Sequence, residues 1–447
     1  MAGVRNRRAI RWLQSQLSEL VASGVISSEN ARAIERHYEQ HQPRTNFAFV
    51  ILAALGSALV GAGIVLLIAH NWDEFSRPTR TATAFLPLLI AQALVVFTLM
   101  RRNESRPWRD AVAIFDVAAV ATAISLISQT YQVQGTFADF MRTWLLLSIP
   151  IVYLLRTTLG AIVYVIGCVL WLFARWGIFS WQGNPTLFWL LLMLVILYVV
   201  LRLRRDRDSR ETAILVIIVA LAALFGVGAT ADFADANVGA IAYAGLATAI
   251  YLCGINVFPQ PTGRLHPLAV LGGLVIGTVA IVLSFEWNWH MTRYVASIPR
   301  SSSANVAVVI ELLFPIAAVC LAGFNLLRRH ADLSLSAALL PIVAGVAWAI
   351  AKLCEFPADR WQSTRCSFAA ATVMNCYALV LGIDILARGI RTNSIARANF
   401  GLLLIAALAI CRFFDSNLSF MIRGIGFIVV GLGFLIANVL LFKRRTA

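Results

Sequence analysis

The amino-acid sequence predicts an all-α membrane protein, a polytopic bundle of about 14 transmembrane helices with a small N-terminal cytoplasmic helical hairpin. Three observations indicate this class: 60% of the 447 residues are hydrophobic, 13% are charged, and the apolar residues fall in long runs. Soluble domains carry about 25% charged residues, so a soluble fold of this composition would have almost no polar surface. A transmembrane helix needs about 20 apolar residues, and residues 47–69 form an uncharged run of that kind.

Fourteen apolar runs bounded by charged and turn residues are the candidate spans. All are expected to be helices, because lipid offers no hydrogen bonds to the backbone and no alternating barrel pattern is present. The fourth run is the weakest candidate, since it is short and contains Pro150. The runs lie approximately at residues 47–69, 79–99, 111–128, 143–155, 158–174, 186–201, 213–230, 238–257, 267–285, 304–327, 333–351, 368–387, 396–411 and 422–442.

The basic residues predict how the chain threads through the membrane. With fourteen spans and a cytoplasmic N-terminus, the inner segments hold 26 of the 37 Lys and Arg residues and the outer segments hold 11. Removing the fourth span inverts the rest of the chain and leaves 14 basic residues outside against 8 inside beyond that point. The positive-inside rule therefore favours the fourth span and predicts a multi-pass protein with both termini in the cytoplasm.

The first 46 residues are the only sizeable extramembrane segment. Apolar residues recur at helical spacing up to Gly24, which is placed to end a first helix, and Ser27 or Ser28 is placed to cap a second one. The predicted domains are therefore a cytoplasmic helical hairpin at 1–46 and a transmembrane bundle at 47–447.

Three segments carry a resemblance to a known family. They read "LGSALVGAGIVLLIAHNWDEFSR" at 55–77, "ISQTYQVQGTFADFMRTWLLLSIP" at 127–150 and "CRFFDSNLSFMIRGIGFIVVGLGFLIANVLLFKRR" at 411–445. Together they resemble a bacterial family of membrane proteins of unknown function, catalogued as domain of unknown function 2157, over roughly residues 10–155. The resemblance implies a polytopic protein of the bacterial inner (plasma) membrane, and it brings no activity, cofactor or catalytic residue with it.

The first apolar run closes with five polar and aromatic residues, His70, Asn71, Trp72, Asp73 and Glu74. A tryptophan at the end of a span is typical of a membrane-interface anchor, so an interfacial turn that caps two helices is the simplest account. The mouth of a substrate path is an alternative. A metal site is a third, because the histidine and the glutamate are four residues apart.

Three carboxylates lie inside predicted spans, where a charge costs at least about 2.5 kcal/mol at the midplane. They are Asp116, Glu311 and Asp384. We consider Glu311 the best candidate for a proton or ion path, because Pro315, four residues on, is expected to open its helix locally. Asp384 precedes Arg388 by four residues and so could form a plain surface pair, and Asp116 lies close enough to the cytoplasmic edge to snorkel. A structural hydrogen bond to a neighbouring helix is the alternative for Glu311.

Two arginines that the threading places outside are candidates for an anion contact. Arg412 precedes the last span and Arg423 opens it, and a pair of guanidinium groups can hold a phosphate or carboxylate. The alternative is an ordinary helix cap in which Arg412 pairs with Asp415.

Cys354 and Cys366 bracket a loop that the threading places outside, in an oxidising compartment. They are the candidate disulfide. The cysteines inside spans are expected to serve as small apolar residues.

The net charge of +15 does not predict a nucleic-acid-binding protein. The basic residues lie in short bursts at the ends of apolar runs, where the anionic headgroups of membrane lipids on the cytoplasmic side attract them. Lipids are therefore the expected partners. Nothing in the sequence identifies a protein partner or a homo-oligomer.

Two functional classes are compatible with these features of the sequence. The first is a transporter-like or lipid-handling protein with a polar path through the bundle, supported by prolines inside spans. The second is a non-transporting scaffold or regulator that recruits a partner through the N-terminal hairpin. An enzyme acting on lipid-linked sugars is disfavoured, because the outer loops are short. No catalytic, cofactor-binding or metal residues are predicted.

Overall fold

The fold is described from a computed structural model of the chain. It describes residues 16–17, 20–21, 23–40, 74–174, 185–207, 209–234, 236–258, 266–290, 302–327, 334–353 and 360–415, and six positions at 421, 425, 428 and 431–433. All regular secondary structure in these residues is helical. The chain divides into two compact units, residues 1–80 and 81–447.

The N-terminal unit contains a turn between two helical segments. Gly24 has a φ of 72°, and the N–H of Val25 donates to the carbonyl of Leu20 at 3.0 Å, as in a left-handed helix end. The Ser27 hydroxyl accepts a hydrogen bond from the N–H of Asn30 at 3.1 Å and caps α1, Ser28–Gln40. The predictions for Gly24 and Ser27 are confirmed. The hairpin as a whole stays a prediction, because much of its first helix lies outside the described residues.

The remaining helices begin at Arg77 and lie almost entirely in the second unit. In chain order they are α2 (Arg77–Arg101), α3 (Arg106–Tyr131), α4 (Phe137–Leu155), α5 (Thr158–Phe173), α6 (Leu187–Arg205), α7 (Arg210–Ala234), α8 (Ala236–Val257), α9 (Pro267–Leu283), α10 (Trp287–His290), α11 (Ser302–Leu327), α12 (Leu335–Ala338), α13 (Leu340–Leu353), α14 (Arg360–Arg391) and α15 (Ile395–Asp415).

Within the described part of the chain, 9 helices are long and apolar enough to cross a membrane. They are α2, α3, α4, α6, α7, α8, α11, α14 and α15, and the shorter apolar helices are α5, α9 and α13. Every predicted run except the first and the last coincides with one of these helices. Those two runs lie wholly or mostly outside the described residues, so the prediction of a polytopic helix bundle is confirmed while the count of fourteen stays a prediction.

The fourth run is a longer helix than the sequence predicts. Helix α4 has 19 residues and begins at Phe137, six residues before the predicted start. The Thr136 hydroxyl accepts from the N–H of Asp139 at 3.2 Å, while the Asp139 carboxylate accepts from the N–H of Thr136 at 3.1 Å. This capping box begins the helix. Asp139 also pairs with Arg142 at 3.0 Å, so both charges lie in the first two turns of the helix.

Buried side chains form two apolar cores, and aromatic donors tie the helices of the first core together. The Trp144 indole N–H donates to the carbonyl of Val117 at 2.8 Å, and that of Trp171 donates to the carbonyl of Ala138 at 3.1 Å. Such bonds satisfy polar groups that would be costly in an apolar interior. Large apolar side chains such as Leu89 cover the outer surface, as expected of helices that face lipid.

Contacts between helix ends agree with the predicted alternation of the spans. Arg207 donates to the carbonyl of Asn256 at 2.7 Å, and Arg207 belongs to a connection predicted to be inside while Asn256 lies at the predicted inner end of its span. The Ser367 hydroxyl donates to Glu286 at 3.3 Å, and both of these are predicted to be outside. Ends assigned to one face therefore meet. Which face is cytoplasmic stays a prediction.

Candidate functional site

Four chain segments meet at one end of the first core and enclose a cavity of about 550 Å³. They are the start of α3, the turn between α4 and α5, the end of α6 and the start of α7. This volume is typical of a small-molecule site. Its charged lining, which we name the arginine cavity, consists of Arg106, Arg109, Asp110, Arg156, Arg202, Arg204, Arg205, Asp206 and Glu211.

The turn between α4 and α5 brings one arginine into this lining by an unusual backbone conformation. Arg156 has a φ of 51°, in the left-handed region that favours glycine. Thr157 then begins α5, because its hydroxyl accepts a hydrogen bond from the N–H of Gly160 at 3.1 Å. The left-handed residue ends α4 and allows α5 to start immediately.

One arginine of the cavity is held in a dense set of contacts. Arg202 donates to Glu211 at 2.8 Å, to the Thr212 hydroxyl at 3.0 Å and to the Tyr198 hydroxyl at 3.3 Å, and its side chain is only 14% exposed. Arg106 reaches the same glutamate at 3.4 Å. These contacts fix the end of α6 against the starts of α7 and α3, so they shape the wall of the cavity.

The guanidinium groups of four other arginines make no ion pair or hydrogen bond to any residue that the structure describes. They are Arg109, Arg156, Arg204 and Arg205. Arg109 is half-buried, and its Nε atom is shielded from solvent without an acceptor. A shielded donor without an acceptor is costly, so this arrangement favours an anion in the cavity.

The charge balance points to the same chemistry. Six guanidinium groups and three carboxylates line the cavity, which leaves a formal excess of three positive charges. The guanidinium fork matches the oxygen geometry of phosphate and carboxylate, and charge-assisted bonds of this kind are among the strongest in proteins. The lining therefore has the chemistry that suits an anion with several acceptor oxygens.

The predicted motif at the end of the first run is described only in part. His70, Asn71, Trp72 and Asp73 lie outside the described residues, and Glu74 is exposed just before α2. Among the residues that the structure describes, no group of three or more His, Cys, Asp and Glu side chains could hold a metal ion. The role of the motif stays a prediction.

The three carboxylates inside spans lie in separate environments. Asp116 is buried and accepts a hydrogen bond from the Gln92 amide at 2.7 Å. Asp384 accepts from the Arg388 Nε atom at 2.9 Å. Glu311 is completely buried in α11. Because Asp116 and Asp384 have no hydrogen-bond partner in common, the structure does not join them in one polar network, and their part in a path stays a prediction.

The arginine predicted to contact an anion on the outer face packs on an aromatic ring. The Arg412 guanidinium lies 4.4 Å from the centre of the Phe285 ring and donates to the Ser284 hydroxyl at 3.4 Å. Arg423 lies outside the described residues. These contacts give Arg412 a role in holding α15 against the end of α9.

The candidate disulfide is also described at one end only. Cys366 is disulfide-bonded, whereas Cys354 lies outside the described residues. The pairing of these two cysteines stays a prediction. Cys168, Cys253, Cys320, Cys376 and Cys411 are free thiols within helices.

The arginine cavity is the functional feature that the sequence did not reveal. The cluster at 202–210 stood out only as a signal of topology, and the other arginines come from two distant connections. The one signal that could have found the cavity is the threading, which places these three connections on the same face. Only the packing of α3 to α7 shows that they enclose one space.

The helices and the site define a polytopic membrane protein with an arginine-lined cavity at one end of its helices. Residues 18–159 match the family model described as "Predicted membrane protein (DUF2157)". The resemblance predicted from the sequence is therefore confirmed over about a third of the chain, a range that includes Arg106, Arg109 and Arg156 but not α6 or α7. Neither the curated proteins nor the solved structures contain a match.

Proposed function

We propose that this membrane protein binds an anionic phospholipid and holds its phosphate in the arginine cavity. The observation that carries the proposal is the set of four arginines without a described partner around one space at the ends of apolar helices. Anionic headgroups lie at this depth in a bilayer and are attracted to clustered arginines on the cytoplasmic side. The predicted threading assigns the cavity to that side.

A lipid fits the surroundings of the cavity better than a soluble anion. Leu201 lines the cavity and is 45% exposed, and Leu197, one turn earlier on the same face of α6, is 54% exposed. Leu154 at the end of α4 is 52% exposed. An apolar surface therefore leads from the arginines into the zone of the acyl chains, where a lipid tail can lie.

Binding rather than transport is the function that these contacts favour. A transport path requires polar groups that follow one another through the bundle. Asp116 and Asp384 instead make local hydrogen bonds, with Gln92 in one case and with Arg388 in the other. We therefore place the protein in the lipid-handling part of the predicted class.

Native mass spectrometry of the full chain tests the proposal. We expect the wild-type protein to retain phosphatidylglycerol more tightly than phosphatidylcholine. The double variant Arg109→Gln/Arg156→Gly should lose roughly tenfold or more in affinity for phosphatidylglycerol, since each charge-assisted bond contributes about 1.5–3 kcal/mol. Glycine is suitable at position 156 because the backbone there already has a φ of 51°.

Arg101→Gln/Arg102→Gln is the matched control. It removes the same charge at the end of α2, from residues that do not line the cavity. Equal losses in the two double variants would overturn the proposal, because they would show only a general effect of basic charge. The phosphate that the cavity holds could belong to a lipid headgroup or to a soluble compound. Pyrophosphate as a competitor distinguishes these two sources. If it binds as tightly as the lipid, the ligand is a soluble phosphate compound.

A further inference from the structure

A second cavity lies among helices that do not contribute to the arginine cavity. It has a volume of about 580 Å³ and lies between α8, α9, α14 and α15, with α12 at one end. We name it the amphipathic cavity, because its walls are apolar and its end is polar. Val270, Leu274, Leu381, Ile385 and Phe400 form the apolar walls.

The polar end of this cavity lies at the turn between α14 and α15. Arg388 and Arg397 are the two cations of its lining, and Ser394 lies between them in the chain. Asp384 lies beside the first of them, since it accepts from the Arg388 Nε atom at 2.9 Å and from the Ser334 hydroxyl at 2.8 Å. The ion pair fixes the position of Arg388, and these three charged residues, taken from the part of the chain that the structure describes, have a formal sum of one positive charge.

The cavity is open sideways, toward the lipid-facing surface of the bundle. Val270 and Leu274 lie one turn apart on α9 and are 45% and 47% exposed. A Cβ atom added at Gly273 would meet no atom within 4 Å, whereas one added at Gly272 would collide with the backbone of Tyr251. Of two adjacent glycines, Gly272 allows close packing of α8 and α9, while Gly273 leaves open space beside the cavity.

We propose that the amphipathic cavity is a second lipid site, which holds one acyl chain of an anionic phospholipid along α9 and its phosphate beside Arg388 and Arg397. Charge complementarity selects the occupant: basic pockets between transmembrane helices on the cytoplasmic side bind anionic headgroups, and the predicted threading assigns this end to that side. The apolar walls bury the chain, which a soluble anion could not use. This site is independent of the arginine cavity and goes beyond the proposed function.

Photolabelling tests this site in the full chain. The probe is phosphatidylglycerol with a diazirine on one acyl chain, in nanodiscs of phosphatidylcholine, and labelled peptides are mapped by mass spectrometry. We expect labelling of α9 around Val270 and Leu274 in the wild type. Unlabelled phosphatidylglycerol should compete it away, whereas added phosphatidylcholine should not. Equal competition by the two lipids would overturn the proposal, because it would show ordinary boundary lipid, and this arm needs no variant.

Gly273→Leu supplies the second arm, since a Cβ atom at this position meets no atom within 4 Å and the leucine side chain extends into the open space beside the cavity. We expect it to abolish labelling of α9. The matched control is Gly345→Leu on α13. A Cβ atom added at Gly345 also meets nothing within 4 Å, and Gly345 does not line the cavity. Undiminished labelling in a monodisperse Gly273→Leu protein would overturn the proposal. The variant Arg109→Gln/Arg156→Gly should keep the labelling of α9, so the proposals for the two lipid sites are tested independently.

Discussion

The Thr157 hydroxyl donates a hydrogen bond to the carboxylate of Asp110, which joins the end of α4 to the start of α3. The end of α4 therefore lies beside the start of α3, at the same end of the two helices. Helix α4 therefore extends across the same thickness as α3, as a spanning helix must. The bond also places Arg156 and Arg109, the direct neighbours of the two partners, at one cavity.

Thr157→Val should destabilise the protein measurably. The change keeps the shape of the side chain but removes the donor to Asp110 and the acceptor for the N–H of Gly160. Loss of a helix cap costs about 0.5–2 kcal/mol, and the lost bond to a carboxylate adds to this. The measurement is the free energy of unfolding in mixed detergent micelles.

Thr122→Val is the control for this prediction. Its hydroxyl is exposed and donates only to the carbonyl of Ala118, within its own helix. We expect a small change there. Equal stability of the two valine variants would show that the connection between α4 and α3 does not depend on Thr157.

Topology reporters should alternate across α4. A phosphatase fused after residue 135, before α4, should be active outside the cytoplasm, and one fused after residue 157 should be inactive. Fluorescent-protein fusions at the same sites should show the opposite pattern, because that reporter folds in the cytoplasm. The expectation comes from the positive-inside rule, which favours the fourth span. An active phosphatase after residue 157 would show that α4 does not cross the membrane. The predicted orientation of all later helices would then be reversed.

The sequence predicts most helices well because charged residues and proline lie at their ends. Arg101, for example, ends α2, and Pro267 opens α9, as expected of basic and proline residues at helix ends. The start of α4 was predicted too late, since Asp139 and Arg142 resemble a loop when their pairing is unknown. Local charge identifies an interface, but it cannot show that two charges neutralise each other.

Packing faces and cavities are harder to predict from the sequence. Gly273 and Gly277 have the spacing of a packing motif, yet Gly272 makes the close approach to α8. In a membrane helix the lipid-facing and helix-facing sides are equally apolar, so hydrophobicity does not reveal which side packs. The arginine cavity depends on three connections far apart in sequence, and nothing local indicates that they meet.

His266 should make stability depend on pH. Its Nδ1 atom accepts a hydrogen bond from the N–H of Leu268 at 3.2 Å and caps α9, and its ring stacks on Phe258. Burial lowers the pKa of His266 from its ordinary value of 6.5. The folded protein therefore favours the neutral ring more than the unfolded chain does. Stability should be full above pH 6.5 and should fall as the pH drops below that value toward the lowered pKa.

The measurement for His266 is the midpoint of thermal unfolding in detergent between about pH 8 and about pH 5. His266→Asn is the control, because asparagine can cap a helix and does not titrate in this range. We expect the variant to lose part of the decline at acid pH. An identical decline in the wild type and the variant would assign the pH dependence to other groups.

The hydrogen bond between Gln92 and the buried Asp116 distinguishes a structural role from a polar path. Asp116→Leu should destabilise the protein by about 0.5–1.5 kcal/mol, because it removes the acceptor that the exposed amide of Gln92 contacts at 2.7 Å. The double variant Gln92→Leu/Asp116→Leu should recover part of this loss, since replacing both partners by apolar side chains removes the unpaired group. Unfolding in mixed micelles measures both changes. If the double variant is as stable as the wild type and yet alters proton or ion flux in vesicles, Asp116 belongs to a path and not only to the contact between α2 and α3.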